Sequence, residues 1–139
     1  MTSFVLDASV ALAWLVDRSI DPYAIRVKQL LLRGSRAIVP SLWQLEVANG
    51  LVTAERRGIL TPAETSEILE NFEIVLGGSI EIRHESMPVR RVIAAARESG
   101  LTAYDTAYLE LARDHGLPIA TLDRRMAASA KKANVLLLQ

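Results

Sequence analysis

The sequence contains no cysteine. No disulfide can hold the fold and no thiolate can act as metal ligand or nucleophile, which accords with a reducing compartment. Long apolar runs are missing too, and no basic segment precedes a hydrophobic stretch near the start. Neither a signal peptide nor a membrane span is therefore expected, and the expected location is cytoplasmic. Neither sign of charge is in excess: Lys and Arg number 16, as do Asp and Glu, so the overall field neither draws the chain to a polyanion nor repels it. Lysine is scarce, confined to Lys28, Lys131 and Lys132. The basic side is mostly arginine, suited to bidentate contact with carboxylate or phosphate, although most of these arginines read as solvated helix surface. The two histidines, His84 and His115, lack ligand spacing to one another and read as surface residues. Repeats and low-complexity linkers are absent.

What is present is 50% hydrophobic and 23% charged over 139 residues, the composition and length of one globular domain, 1–139. Phe4–Leu6 is a short run of β-formers, buried on both faces, with Asp7 directly after it. A helical stretch follows to Val16. Asp21–Pro22 opens a second helix that stops near Gly34. Ala37–Val39 is a second strand closed by Pro40. Ser41 with Gln44, and Thr61 with Glu64, are two capping-box patterns, opening helices to about Gly58 and Leu76. Ile80–Arg83 alternates as an edge strand does, a fifth helix runs from Met87 to Gly100, and a sixth from Thr102 to His115. A strand within Leu117–Leu122, a short helix through Met126 and a last strand at Val135–Leu138 complete the order. Strands alternating with helices predict an α/β fold with a mainly parallel sheet covered on both faces.

Four acids fall where such a fold could bring them together. Asp7 and Asp123 directly follow strands, at the carboxyl edge where open α/β sheets bind ligands. Asp105 lies in a first helical turn, and Glu46 in the second turn of the Ser41 helix, with Asn49 three residues on along the same face. Singly, each has an ordinary reading as helix cap or surface acid. Together they would repel one another and raise each other's pKa unless a cation sits among them, and oxygen ligands favour Mg²⁺ or Mn²⁺. Arg124 and Arg125, beside Asp123, are candidates to hold substrate phosphates, against a slightly preferred reading as a solvated helix start. Trp14, Trp43, Tyr104 and Tyr108 could stack on bases, but their apolar neighbours make them core or interface residues more often than not.

LDAS at Leu6–Ser9, E-x-x-N at Glu46–Asn49, TAYDTAYLELA at Thr102–Ala112 and TLDRRM at Thr121–Met126 resemble, in order and spacing, the motifs of PIN-domain nucleases, and more closely the VapC toxins of toxin–antitoxin pairs. The resemblance implies a three-layer α/β/α sandwich around a mainly parallel sheet of four or five strands. It implies that Asp7, Glu46, Asp105 and Asp123 hold Mg²⁺ or Mn²⁺, and that single-stranded or loop RNA is cleaved endonucleolytically by metal-activated water. Ser9 and Thr121 match positions that support the acids, and Asn49 one that orients Glu46 or metal waters. A homodimer and a small VapB-type antitoxin are the implied partners, the antitoxin packing across helices 21–33, 41–57 and 61–76, whose apolar positions serve equally as ordinary core. Alternatives are a catalytically idle PIN-like domain acting through a partner, and a phosphoacceptor receiver-like domain. The latter wants paired acids after the first strand and a Lys after a late one, whereas Asp7 stands alone and Lys131 and Lys132 are helical. A haloacid-dehalogenase-like phosphatase is disfavoured by Ser9, which stands where its second Asp would be.

Overall fold

A computed structural model describes residues 2–139. Its strands are β1 (Ser3–Leu6), β2 (Arg36–Pro40), β3 (Ile80–Arg83) and β4 (Ile119–Ala120), in the spatial order β3-β2-β1-β4 and all parallel. Val5 pairs with Ile38 on one side and Ile119 on the other, while Ala37 to Pro40 pair with Ile80 to Arg83. Both inner strands are almost wholly buried, hence their unbroken apolar runs. The helices are α1 (Ala8–Val16), α2 (Pro22–Leu32), α3 (Leu42–Arg56), α4 (Pro62–Leu76), α5 (Val89–Ser99), α6 (Ala103–His115) and α7 (Arg124–Lys132). They flank the sheet as a PIN-like α/β/α sandwich, with α6 packed across β1, β2 and β4, and α1 against α2, α3 and α4. From β1 the chain steps outward to β2 and β3, then returns to β4 on the other side of β1. The carboxyl ends of β1 and β4 thus form a topological switch point, the place where such sheets bind ligands.

Local signals explain most boundaries. The Asp21 carboxylate accepts from the Tyr23 N–H with Pro22 at N1, and Thr61 and Glu64 form a reciprocal capping box. Gly100 and Gly116, with φ of 74° and 61°, end α5 and α6 in the left-handed conformation. On α3, a side chain at Gly50 would collide with Leu12, so the glycine lets α1 and α3 pack closely one turn beyond Glu46.

Some expectations give way. Ser41 does not cap α3: its backbone is already helical (φ −60°, ψ −28°), a conformation from which its hydroxyl makes no cap bond. Val135–Leu138 is not a strand but one parallel bridge, Leu137 to Ile119. Its partner β4 is only two residues long, so no ladder can grow; the tail is instead tied down by the Tyr23 hydroxyl donating to the Leu138 carbonyl at 2.7 Å. The fifth helix begins at Val89 rather than Met87, with Pro88 extended before it. Tyr104 is 67% exposed on α6 and is no core residue, because it lies one position from Asp105 on the solvent side. Tyr108 and Trp43 are buried, and Trp14 is half-buried with its indole N–H on the Ala24 carbonyl.

Candidate active site

The site begins with Asp7. Its backbone N–H donates to the Ala120 carbonyl at 2.9 Å, continuing the β1–β4 pairing, and its carboxylate is buried. Asp7 stands at the N-cap position of α1 yet makes no side-chain cap bond. Its Oδ2 instead accepts from the Ser9 hydroxyl at 2.6 Å and the Thr121 hydroxyl at 2.9 Å. Ser9 Oγ also accepts from the Leu122 N–H, and Thr121 Oγ1 from the Asp123 N–H, so two hydroxyls stitch the end of β1 to the loop after β4. A helix cap would have explained the acid cheaply; the structure does not use it as one.

Asp123 is a cap. Its Oδ1 accepts from the N–H groups of Arg125 and Met126 at 2.8 and 3.3 Å and opens α7. Glu46 projects from α3, where its Oε1 accepts from the Tyr108 hydroxyl at 2.5 Å. Asp105 lies in the first turn of α6 behind the N-cap Thr102, whose hydroxyl accepts from the Asp105 N–H. In Asp7, Glu46 and Asp123 one carboxylate oxygen is therefore held by the protein. The other accepts no hydrogen bond among the described residues.

The acids feel one another. Burial is the main reason Asp7 is held above the usual carboxylate range; the Ser9 and Thr121 hydroxyls pull it down, and the charges of Asp105 and Asp123 push it up. Glu46 is raised by burial and by Asp7 and Asp105, against the Tyr108 hydrogen bond. Asp105 is raised by burial and by Asp123, against Thr102 and the nearby Arg125 guanidinium. Tyr108, wholly buried against Glu46, is pushed far above the ordinary phenol range and stays a neutral donor. No salt bridge neutralises any of the four acids among the described residues. No three acidic or imidazole side chains there stand close enough, as placed, to grip one ion. The donor set nevertheless fits a hard divalent cation: only oxygen, clustered negative charge with no salt bridge, and one oxygen left open on each of three anchored carboxylates.

Asn49, expected to orient Glu46 or metal-bound waters, is exposed and makes no hydrogen bond to Glu46, whose Oε1 accepts from Tyr108. Sequence reasoning placed Tyr108 in the core and missed that contact. The available signal was its position three residues after Asp105, on the same helical face. Arg124 and Arg125 are exposed, and Arg125 donates to the Gly100 carbonyl at 3.3 Å beside Asp105. His84 is exposed, while His115 is partly buried with its ring on Glu85 at 2.8 Å; neither joins the acids.

The family model for the PIN domain matches residues 4–132. The chain belongs to the PIN-domain family. Among relatives of Pyrobaculum aerophilum it is similar to Ribonuclease VapC3, with 35% identity over 82 residues covering 59% of this chain and 62% of that protein. It is also similar to Exonuclease VapC9 of the same organism, 32% identical over 92 residues covering 63% and 62%. The chain thus spans 62% of the length of each of these curated relatives. The crystal structure of PAE2754, again from Pyrobaculum aerophilum, superposes with a TM-score of 0.67 at 26% identity, covering 92% of this chain and 84% of that one.

Proposed function

We propose that this PIN-domain chain is a VapC-type toxin: a Mg²⁺- or Mn²⁺-dependent endoribonuclease that cleaves single-stranded or looped RNA. The observation that carries the reading is the set of four acids at the sheet's switch point, none of them in a salt bridge among the described residues, with Asp7, Glu46 and Asp105 raised by burial and by the charge of neighbouring acids. A protein that keeps such a cluster folded gains by admitting a cation. When bound, the divalent ion supplies charge neutralisation at the phosphodiester and a lowered pKa for water. The chain's own residues set the geometry: Ser9 and Thr121 hold Asp7, the α7 amides hold Asp123, and Tyr108 holds Glu46. Arg125, which lies near Asp105, and Arg124 beside it in sequence are the proposed residues to receive RNA phosphates.

A VapB-type antitoxin is the proposed partner. Two grooves suit a partner segment: a mixed one between α1, α2 and α4, lined by Trp14, Ile68 and Val75 with Lys28 and Asn71, and an apolar one between α3, α4 and β3, lined by Trp43, Val47, Phe72 and Ile82. The buried Trp43 indole N–H has no acceptor among the described residues. Homodimerisation is proposed from exposed Leu45 and Val52 on α3 and Val89 and Ile93 on α5. Sedimentation of the purified chain tests it, a monomer at micromolar concentration sinking it. No described helix is long and apolar enough to cross a membrane.

The test of the reaction is cleavage of a mixed structured RNA pool with Mg²⁺, Mn²⁺ or chelator, beside an identically purified Asp105→Ala variant. Metal-dependent cutting that the variant lacks is expected. A circular RNA in the pool separates endonuclease from exonuclease action, because only the former can open it. Cutting that survives chelator, or that Asp105→Ala shares, overturns the reading.

A further inference from the structure

Three anchored acids line the site, and the devices that anchor them differ. Asp7 has two hydroxyls on one oxygen, and Asp123 two backbone amides. Glu46 has the longest side chain of the three and one hydroxyl, that of Tyr108, reaching it from a residue 62 positions away. The Tyr108 phenol is wholly buried, so its ring cannot turn to another partner without disrupting the core. One hydroxyl on α6 therefore reaches across to the acid of α3.

We propose that Tyr108 is a positioning residue of the site, holding Oε1 of Glu46 so that Oε2 is presented to a divalent cation with its rotamer already chosen. The inference rests on the metal-dependent reading above and assigns Tyr108 no contact with RNA or cation. A free glutamate on a helix surface samples many rotamers and must order itself on binding. A side chain fixed through one of its two oxygens is already ordered, which is how hydrogen-bond partners behind the ligands sharpen metal sites generally. Filling the core needs only the ring, so the hydroxyl is the part that this role requires.

The test is a double-mutant cycle in Mn²⁺ affinity, read by calorimetry on wild type, Tyr108→Phe, Glu46→Gln and the double variant, with melting in chelator run alongside. Tyr108→Phe keeps the ring and should weaken Mn²⁺ binding about tenfold, the lower end of the loss typical when an outer partner of a metal ligand is removed. In the Glu46→Gln background the same change should cost nothing further, because the carboxylate it positions is gone. A general loosening of the core would instead weaken binding equally in both backgrounds, and that result overturns the proposal. Wild-type affinity in Tyr108→Phe also overturns it and leaves the metal reading standing. Absence of Mn²⁺ binding by the wild type itself overturns the metal reading, and the role of Tyr108 with it.

Discussion

Two groups of acids hang on α6, and the protein treats them oppositely. On the face toward α5, Glu110 and Asp114 are matched by arginines: Arg91 bonds to Glu110 at 3.1 Å and to Asp114 at 2.7 Å, and Arg113 to Glu110 at 3.3 Å. Near the N-terminus, Asp105 joins Asp7, Glu46 and Asp123, and among the described residues none of them forms a salt bridge, Arg125 lying near Asp105 without one. Both clusters are partly buried and both use the same chemical group. A chain that ties its acids to arginine in salt bridges at one place and leaves them without one at another carries charge there that the proposed cation would meet. A raised carboxyl is costly at neutral pH, and the proposed cation would remove that cost.

The sharpest way to break this contrast is Asp7→Asn. Removing one anchored carboxylate from a site asked to supply several kcal/mol of charge stabilisation should slow RNA cleavage by roughly two to three orders of magnitude, read as initial rates in Mg²⁺. The same variant should melt higher than wild type in chelator at neutral pH. The Asp7 pKa is raised in the folded state above its usual 3.8, so ionised Asp7 opposes folding at any pH above the folded value. The gain from Asn should therefore be full at neutral pH. It should shrink as pH falls through the folded pKa and vanish below 3.8, where both folded and unfolded states carry a neutral group. A destabilised Asp7→Asn at neutral pH would mean that the acid is structural after all.

Legibility in the sequence followed how local each cause was. Asp7 and Asp123 could be placed because an acid directly after a β-run needs only the run to be recognised, and Asp105 because Thr102 marks its helix start. The parallel sheet followed from the alternation of elements. Three-dimensional pairing was hidden. The spacing of Tyr108 puts it on the face of Asp105, but it does not tell a ring that only fills the core from one whose hydroxyl also holds Glu46, 62 residues earlier. Asn49 has the spacing to orient Glu46 or metal-bound waters, yet the hydrogen bond that holds Glu46 comes from that phenol. Ser41 and Gln44 have capping-box spelling, but the chain leaving Pro40 is already helical at Ser41, which no residue pattern reports. The tail at Val135–Leu138 has strand composition without a partner strand long enough to pair.

Metal addition sharpens the contrast thermodynamically. If the unpaired acids form the cation site, Mg²⁺ or Mn²⁺ at a hundred times its dissociation constant should stabilise the fold by about 2.7 kcal/mol, a rise of the order of 10 °C in melting temperature. In Asp7→Asn the rise should be much smaller. An equal rise in both proteins would place the cation elsewhere and remove the reason for leaving these acids unpaired.

The smallest effect belongs to the satisfied cluster, and it is the control on which the comparison turns. Glu110→Gln removes a charge while keeping shape and an acceptor. Glu110 is only 9% exposed, but its partners Arg91 and Arg113 are 36% and 48% exposed and can turn their guanidinium groups to water. The loss should thus be that of a partly solvated ion pair, about 1 kcal/mol in chemical denaturation, far below the cost of stranding a buried charge. Cleavage rate and Mn²⁺ affinity should stay at wild-type values, since the paired face of α6 lies away from Asp105 and Tyr108. Were Glu110→Gln to slow cleavage as much as Asp7→Asn, the acids of α6 would act as one network. Pairing with arginine would then no longer separate structural charge from chemical charge in this fold.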